Sequence, residues 1–239
     1  MDVRVISIGA LASHPLRKEP AGDRTGHATI TLVRTKGRAI LVDPGLPAPA
    51  VAALLPERAG IEADQITHVF LTRFSPDTAR GIRLFDHATW WIHNDEREQI
   101  GLHLATKLRE LIDASGPGSA DEDDESGIMH ALQQDIAVLQ RFEPAPDRLI
   151  EDQDSRADLF PLPGVSPGLA GLLIPQSRRT LLITGDAIAT TEHLAKGAVI
   201  SPCHDLEQAK ESFAEAVEIA DVIIPGRDNV LFNDARQMF

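Results

Sequence analysis

The sequence predicts an α/β protein, and three observations carry that prediction. Short apolar runs bounded by Gly, Pro and Asp fill residues 3 to 92. Between Asn94 and Pro144 the apolar period lengthens to that of a helix. Strand-like runs and one amphipathic helix then return between Leu159 and Ile224. This order predicts two related halves packed as one layered domain over residues 1–239, carrying a helical insertion at about 95–145.

In the first half, Val3 to Ile8, Ala28 to Val33, Ala39 to Val42 and His68 to Leu71 read as strands, and Trp90, Trp91 and Ile92 as another. Neighbouring strand residues face opposite ways, so the strand reading leaves one of the two tryptophans exposed. Val51, Leu54 and Leu55 form a helical face ending near Gly60, and a second helix is expected from Pro76 through Ile82 to Leu84. In the insertion, Ile100, Leu104, Leu108 and Leu111 recur at helical spacing, as do Ile128, Leu132, Ile136 and Leu139. The stretch between them, ending in Asp-Glu-Asp-Asp-Glu at 121 to 125, is too charged and too rich in helix breakers to pack, which predicts a solvated loop. The second half offers strands at Leu159 to Leu162, Leu169 to Ile174, Thr180 to Ile183 and Val222 to Ile224. Its helix has Asp205 as N-cap, Gln208 as capping-box partner, and Leu206, Ala209, Phe213, Val217 and Ala220 on one face.

Composition narrows the function classes. A formal net charge of −13 repels phosphate backbones and anionic lipid, so neither nucleic acid nor a membrane is an expected partner. Cys203 is the only cysteine, which rules out an internal disulfide and a thiolate metal cluster. The N-terminus lacks the pattern of a signal peptide and no apolar run reaches membrane-spanning length, so a cytoplasmic protein is expected.

Residues 72 to 78, Thr-Arg-Phe-Ser-Pro-Asp-Thr, lie just past the C-terminal end of a strand, where α/β folds keep their sites. Five further landmarks occur in order with the strand that precedes them: Ile-Leu-Val-Asp-Pro-Gly-Leu at 40 to 46, Gly-Ile-Arg-Leu-Phe at 81 to 85, Leu-Pro-Gly-Val-Ser-Pro-Gly at 162 to 168, Leu-Ile-Thr-Gly-Asp-Ala at 182 to 187, and Asp-Val-Ile-Ile-Pro-Gly-Arg at 221 to 227. Together with Thr-His-Val-Phe-Leu-Thr at 67 to 72 they resemble the metallo-β-lactamase superfamily, from about Gly26 to Asp228 and outside the helical insertion. The resemblance implies a four-layer αββα sandwich of two mixed β-sheets. It also implies a metal site built by His-x-His-x-Asp-His, a His in a Pro-Gly-His turn, an Asp in the Gly-Asp step and a late His.

Carried over position by position, the first motif falls on Arg73, Ser75, Asp77 and Thr78, and the later ligands on Val165, Asp186 and Arg227. Every expected imidazole is replaced, while both carboxylates are kept. Zinc needs imidazole, thiolate or carboxylate donors, and a guanidinium is never deprotonated in a protein. The expectation is therefore a degenerate member with no metal, no cofactor and no catalytic residue, in which Arg73 and Arg227 act as counter-charges to Asp77 and Asp186. Such a cleft would bind a small anionic ligand or a partner.

The alternative is a metal-dependent hydrolase of esterase, lactonase or thioesterase type. It would use zinc or another divalent metal rebuilt around Asp77 and Asp186 with histidines such as His193 or His204. His27 and His93 are further candidates; none of the four has His-x-His or His-x-x-x-His spacing, and their sequence context places all four on a solvated surface. Ser75 and Ser166 lack the sequence context of a nucleophile. Asp43 is expected to cap the turn below the cleft. The apolar faces of the insertion exceed what one sandwich needs, which predicts a lid over the cleft or a symmetric homodimer contact, the latter being the reading taken.

Overall fold

The computed structural model describes residues 1–19, 24–114 and 122–234. Strands β1 (Asp2–Ser7), β2 (Ile30–Arg34), β3 (Ala39–Val42), β4 (His68–Leu71), β5 (Thr89–Ile92) and β6 (Glu143–Pro144) form one six-stranded sheet in that spatial order. Strands β7 (Arg148–Asp152), β8 (Ser155–Pro161), β9 (Ala170–Pro175), β10 (Thr180–Gly185), β11 (Val222–Pro225) and β12 (Leu231–Phe232) form the second, in the order 12-11-10-9-8-7. Both sheets are mixed: β3 to β6 pair in parallel, as do β10 and β11, and the remaining pairs are antiparallel. The helices are α1 (Ala48–Ala59), α2 (Pro76–Ala79), α3 (Asn94–Ala114), α4 (Glu122–Leu139), α5 (Thr191–Lys196) and α6 (Leu206–Ile219).

Three buried clusters explain why the strands are apolar on both faces. Leu41, Val69, Leu71 and Trp90 pack beneath Val51 and Leu55 of α1 and beneath Leu104 and Leu132 of α3 and α4. The alternate residues Ile40, Val42, Phe70 and Trp91 face Leu172, Ile174, Ile183 and Ile224 of the second sheet. Leu182 and Ile223, on that sheet's far face, pack against Ala209, Phe213 and Ala216 of α6. The layers therefore run helix, sheet, sheet, helix, and a strand covered on both sides has no position for a polar alternation.

Several expectations are corrected. Trp90 and Trp91 do face opposite ways, but neither is exposed: Trp90 packs under the helices and Trp91 between the sheets, where His68 stacks on it (ring centroids 4.1 Å apart) and Arg38 lies over it. The helix expected from Pro76 to Leu84 is cut in two. Gly81 donates its N–H to Pro44 O (2.8 Å) and packs so close to Leu46 that a Cβ would meet its carbonyl at 2.5 Å, so the chain leaves α2 and resumes as a 3-10 turn over Ile82–Phe85. The acidic run does not stay in a loop: residues 122–125 are the first turn of α4, a place that favours acidic residue types, while residues 115–121 lie outside the described residues. Asp205 caps α6 as expected, its Oδ1 accepting from Gln208 N at 3.0 Å, but Leu206 is half exposed rather than on the buried face. Strands β6, β7 and β12 and helix α5 were not anticipated.

One buried side chain ties the insertion to the cleft. Glu96, in the first turn of α3, is fully buried; its Oε1 accepts from Phe74 N and its Oε2 from Gly168 N, each at 2.9 Å. Those amides belong to the loop after β4 and to the turn between β8 and β9. The approach is close enough that a Cβ on Gly168 would meet Glu96 N at 1.9 Å. Replacing Glu96 by Ala strands one buried and one part-buried donor and should cost about 3 kcal/mol in urea unfolding, whereas Glu98→Ala, on the exposed face of the same helix, should stay within about 0.5 kcal/mol.

Candidate functional site

The parallel strands deliver the predicted residues to one place. Arg73 lies two residues beyond β4, Asp186 directly after β10 and Arg227 two residues beyond β11, all at carboxyl ends of parallel strands. Gly185 ends β10 with φ +53° and abuts Thr72, whose Oγ1 a Cβ would meet at 2.7 Å. Gly226 lets the two loops touch, since a Cβ there would sit 2.6 Å from Asp186 Oδ1. Backbone bonds from Gly226 N to Gly185 O (2.9 Å) and from Arg227 N to Ala189 O (2.8 Å) then fix the register of the pair.

Four of the seven predicted positions converge. Arg227 holds Asp186 with two bonds, Nε to Oδ1 at 2.7 Å and Nη2 to Oδ2 at 2.8 Å, and reaches Asp77 Oδ2 with Nη1 at 2.9 Å. Arg73 donates its Nε to Asp186 Oδ2 at 2.8 Å. The Arg227 and Asp186 side chains are only 1% and 3% exposed, which makes this an interior ion pair, while Arg73 is 23% exposed and looks outward. Burial alone would push the Asp186 carboxyl up, but the guanidiniums of Arg227 and Arg73 and their hydrogen bonds outweigh it and hold the group well below the usual carboxylate range. Burial likewise opposes the charge on Arg227, and Asp186 and Asp77 overcome it, raising its pKa above the ordinary value.

The remaining three positions lie apart from this contact. Thr78 Oγ1 is turned back onto its own loop, donating toward Arg73 O (2.8 Å) and Ser75 O (2.9 Å), and Ser75 is the N-cap of α2. Val165 lines a cavity of about 510 Å³ that also borders Arg73, Ser166, His103 and His204. Asp43 sits beneath the cluster as expected, with Oδ1 and Oδ2 accepting from Thr72 N (2.8 Å) and Thr72 Oγ1 (2.7 Å). Its burial pushes the carboxyl up to about 7 despite those bonds.

Two participants were missed from sequence. Arg80 reaches Asp77 Oδ1 at 3.5 Å and donates to Gly45 O at 3.2 Å, so three guanidiniums surround Asp77 and Asp186 where a balanced quartet was expected. An i, i+3 pairing with Asp77 on a short helix was the available signal. Glu96 gave none, because the amides it joins are 22 and 72 residues away.

The histidines do not assemble at the aspartates. His193 is buried in α5 rather than solvated; Thr190 Oγ1 bonds both its Nδ1 (2.8 Å) and His14 Nε2 (3.0 Å), and burial, with His14 nearby, lowers its pKa. His204 is exposed at the cavity rim, and His27 Nε2 meets Ile8 O at 3.1 Å. Among the described residues no group of three or more His, Cys, Asp or Glu side chains is arranged to hold a metal ion, and no helix is long and apolar enough to cross a membrane.

The chain is similar in fold to AidC, a dizinc quorum-quenching lactonase solved with its product N-hexanoyl-L-homoserine, at 20% identity and a TM-score of 0.64 over 89% of this chain and 77% of that one. It is similar to a putative metallo-β-lactamase from Thermotoga maritima (18%, 0.63, 97% and 98%) and to a quorum-quenching N-acyl homoserine lactone lactonase (19%, 0.61, 95% and 90%). No curated protein sequence matches it. Residues 23–227 match the family model described as Metallo-beta-lactamase superfamily, and with most of its length so matched the chain belongs to that superfamily.

Proposed function

We propose that this protein is a metal-free, catalytically degenerate member of its superfamily that binds a small anionic ligand or a partner in the cleft where relatives keep their metal centre. The observation that carries the reading is the two-bond grip of Arg227 on Asp186. Both carboxylate oxygens are engaged by guanidinium nitrogens, and a cation seated there would have to displace three charge-assisted bonds from a group that is 3% exposed. The donor set does not fit a dinuclear centre: two guanidiniums repel a cation, Val165 carries no donor atom, and the Thr78 hydroxyl is occupied by backbone carbonyls. Lowering the pKa of a water to about 7 is the ion's contribution to hydrolysis, and no side chain in this cluster substitutes for it.

A second reading, a divalent-metal hydrolase of esterase, lactonase or thioesterase type, draws support from the likeness to lactonase structures. It would require Asp186 to leave Arg227 and His193 to leave Thr190. Protein exposed to zinc, manganese or iron and then desalted separates the two. The proposed reading expects substoichiometric metal and no esterase or lactonase turnover; one tightly held ion per chain, lost together with activity in Asp186→Ala, would establish the hydrolase instead.

The ion pair has its own signature. Because the folded-state pKa of Asp186 is depressed, its contribution to stability is full at neutral pH and is lost as pH falls below about 4 toward the folded value. Arg227→Met leaves the carboxylate buried and mostly unpaired, which should cost about 3–5 kcal/mol at pH 7. Measured in a shared Asp43→Asn background, because Arg227 also acts on the Asp43 carboxyl, this deficit should shrink as the solution is acidified from pH 7 to 5. A deficit that stays flat with pH would show that Asp186 does not depend on Arg227 for its charge.

A further inference from the structure

Arg73 also lines the 510 Å³ cavity, and the composition of that cavity is unusual for this chain. The protein carries 36 Asp and Glu residues, yet none of the residues lining the cavity is acidic. Its polar members are Arg73, Gln99, His103, Ser166 and His204, all able to donate hydrogen bonds, and the rest of the wall is apolar, including Phe74, Ile100 and Val165. Arg73 gives Asp186 a single bond through Nε, and among the described residues its two Nη groups have no partner. Ser166, 7% exposed, also lines the cavity, and its buried Oγ has no hydrogen-bond partner among the described residues.

We infer that this cavity binds a small monocarboxylate with an apolar body, its carboxylate on the Nη pair of Arg73 and its carbon body against Phe74, Ile100 and Val165. The inference rests on the proposed metal-free reading, because an ion on Asp186 would displace the guanidinium that does the recognising. Charge and shape select the class. Two parallel N–H groups on one planar guanidinium match the two oxygens of a carboxylate. Arg73 is the one permanently charged group in the lining, which suits a singly charged ligand and leaves a phosphate dianion without its second cation; Arg227 is sealed behind it on Asp186 and Asp77. The cavity falls in the size range of small-molecule sites, and its apolar wall disfavours an anion that is polar throughout.

The test is calorimetric titration of the full-length, metal-analysed protein with sodium octanoate, and with 1-octanol and inorganic phosphate as probes of the apolar and anionic parts alone. Octanoate should bind with one-to-one stoichiometry and raise the melting temperature, while the other two at equal concentration do neither. Arg73→Met should weaken octanoate at least about tenfold, and Arg73→Lys, which keeps the charge but loses the planar pair, should fall between. Val165→Trp, which leaves the ion cluster untouched, should block binding by filling the cavity and serves where Arg73→Met unfolds. Equal binding of octanol and octanoate, undiminished binding in both Arg73→Met and Val165→Trp, or no binding by folded, metal-free protein would each overturn the inference. That last result would leave the metal-free reading standing, whereas stoichiometric metal in the purified protein would remove both.

Discussion

The contact on which the rest of the cleft depends is the interior pair of Asp186 and Arg227. Either charge alone would be costly at such depth, and the two are kept there by geometry: a forked donor meets a flat acceptor at 2.7 and 2.8 Å, and the leftover nitrogen goes to Asp77. That geometry in turn depends on two parallel strands ending side by side and on Gly226, which supplies the room for one loop to lie on the other. AidC, which is similar to this chain in fold, is a dizinc lactonase; here the carboxylates of Asp77 and Asp186 are met by guanidinium groups. The guanidinium supplies one fixed charge with directional donors, and unlike an ion it cannot exchange, dissociate or activate water.

Much of this was legible in the sequence because it is local or periodic. The strands around Phe70 and Ile183 announce themselves as unbroken apolar runs, which is what burial on both faces demands. The convergence of Arg73, Asp77, Asp186 and Arg227 could be read because the motifs around them resemble those of the metallo-β-lactamase superfamily, whose ligand positions they occupy. What stayed hidden was either short or distant. Strand β12 has two residues and β6 two, too few for any period to show. The break at Gly81 follows from a bond to Pro44, and the burial of Trp91 from the facing sheet and from His68 on β4 and Arg38 in the turn before β3; neither is encoded near the residue it affects. Thr190 and Gly197 did bracket α5 as cap residues, and that signal was present but faint in six residues.

The site was less legible than the fold for the same reason. Position-by-position reading gave seven residues equal standing, whereas the structure divides them by where the side chains go: four into the ion cluster, two into the turn that supports Arg73, and one into the wall of the neighbouring cavity. Sequence spacing reports which residues arrive at a place but not which way they turn. Arg80 and Glu96 show the complementary gap, since residues without a counterpart in a motif can still complete the site.

Glu96 has a consequence for how the cleft can change shape. One carboxylate grips the loop that carries Arg73 and the turn that carries Val165 and Ser166, and the helix it belongs to supplies Gln99, Ile100 and His103 to the opposite wall. The three banks of the cavity are thus pinned at a single point, like blades on a common rivet. A displacement of any one bank must therefore either break the bonds of Glu96 to Phe74 N and Gly168 N or carry the other banks with it.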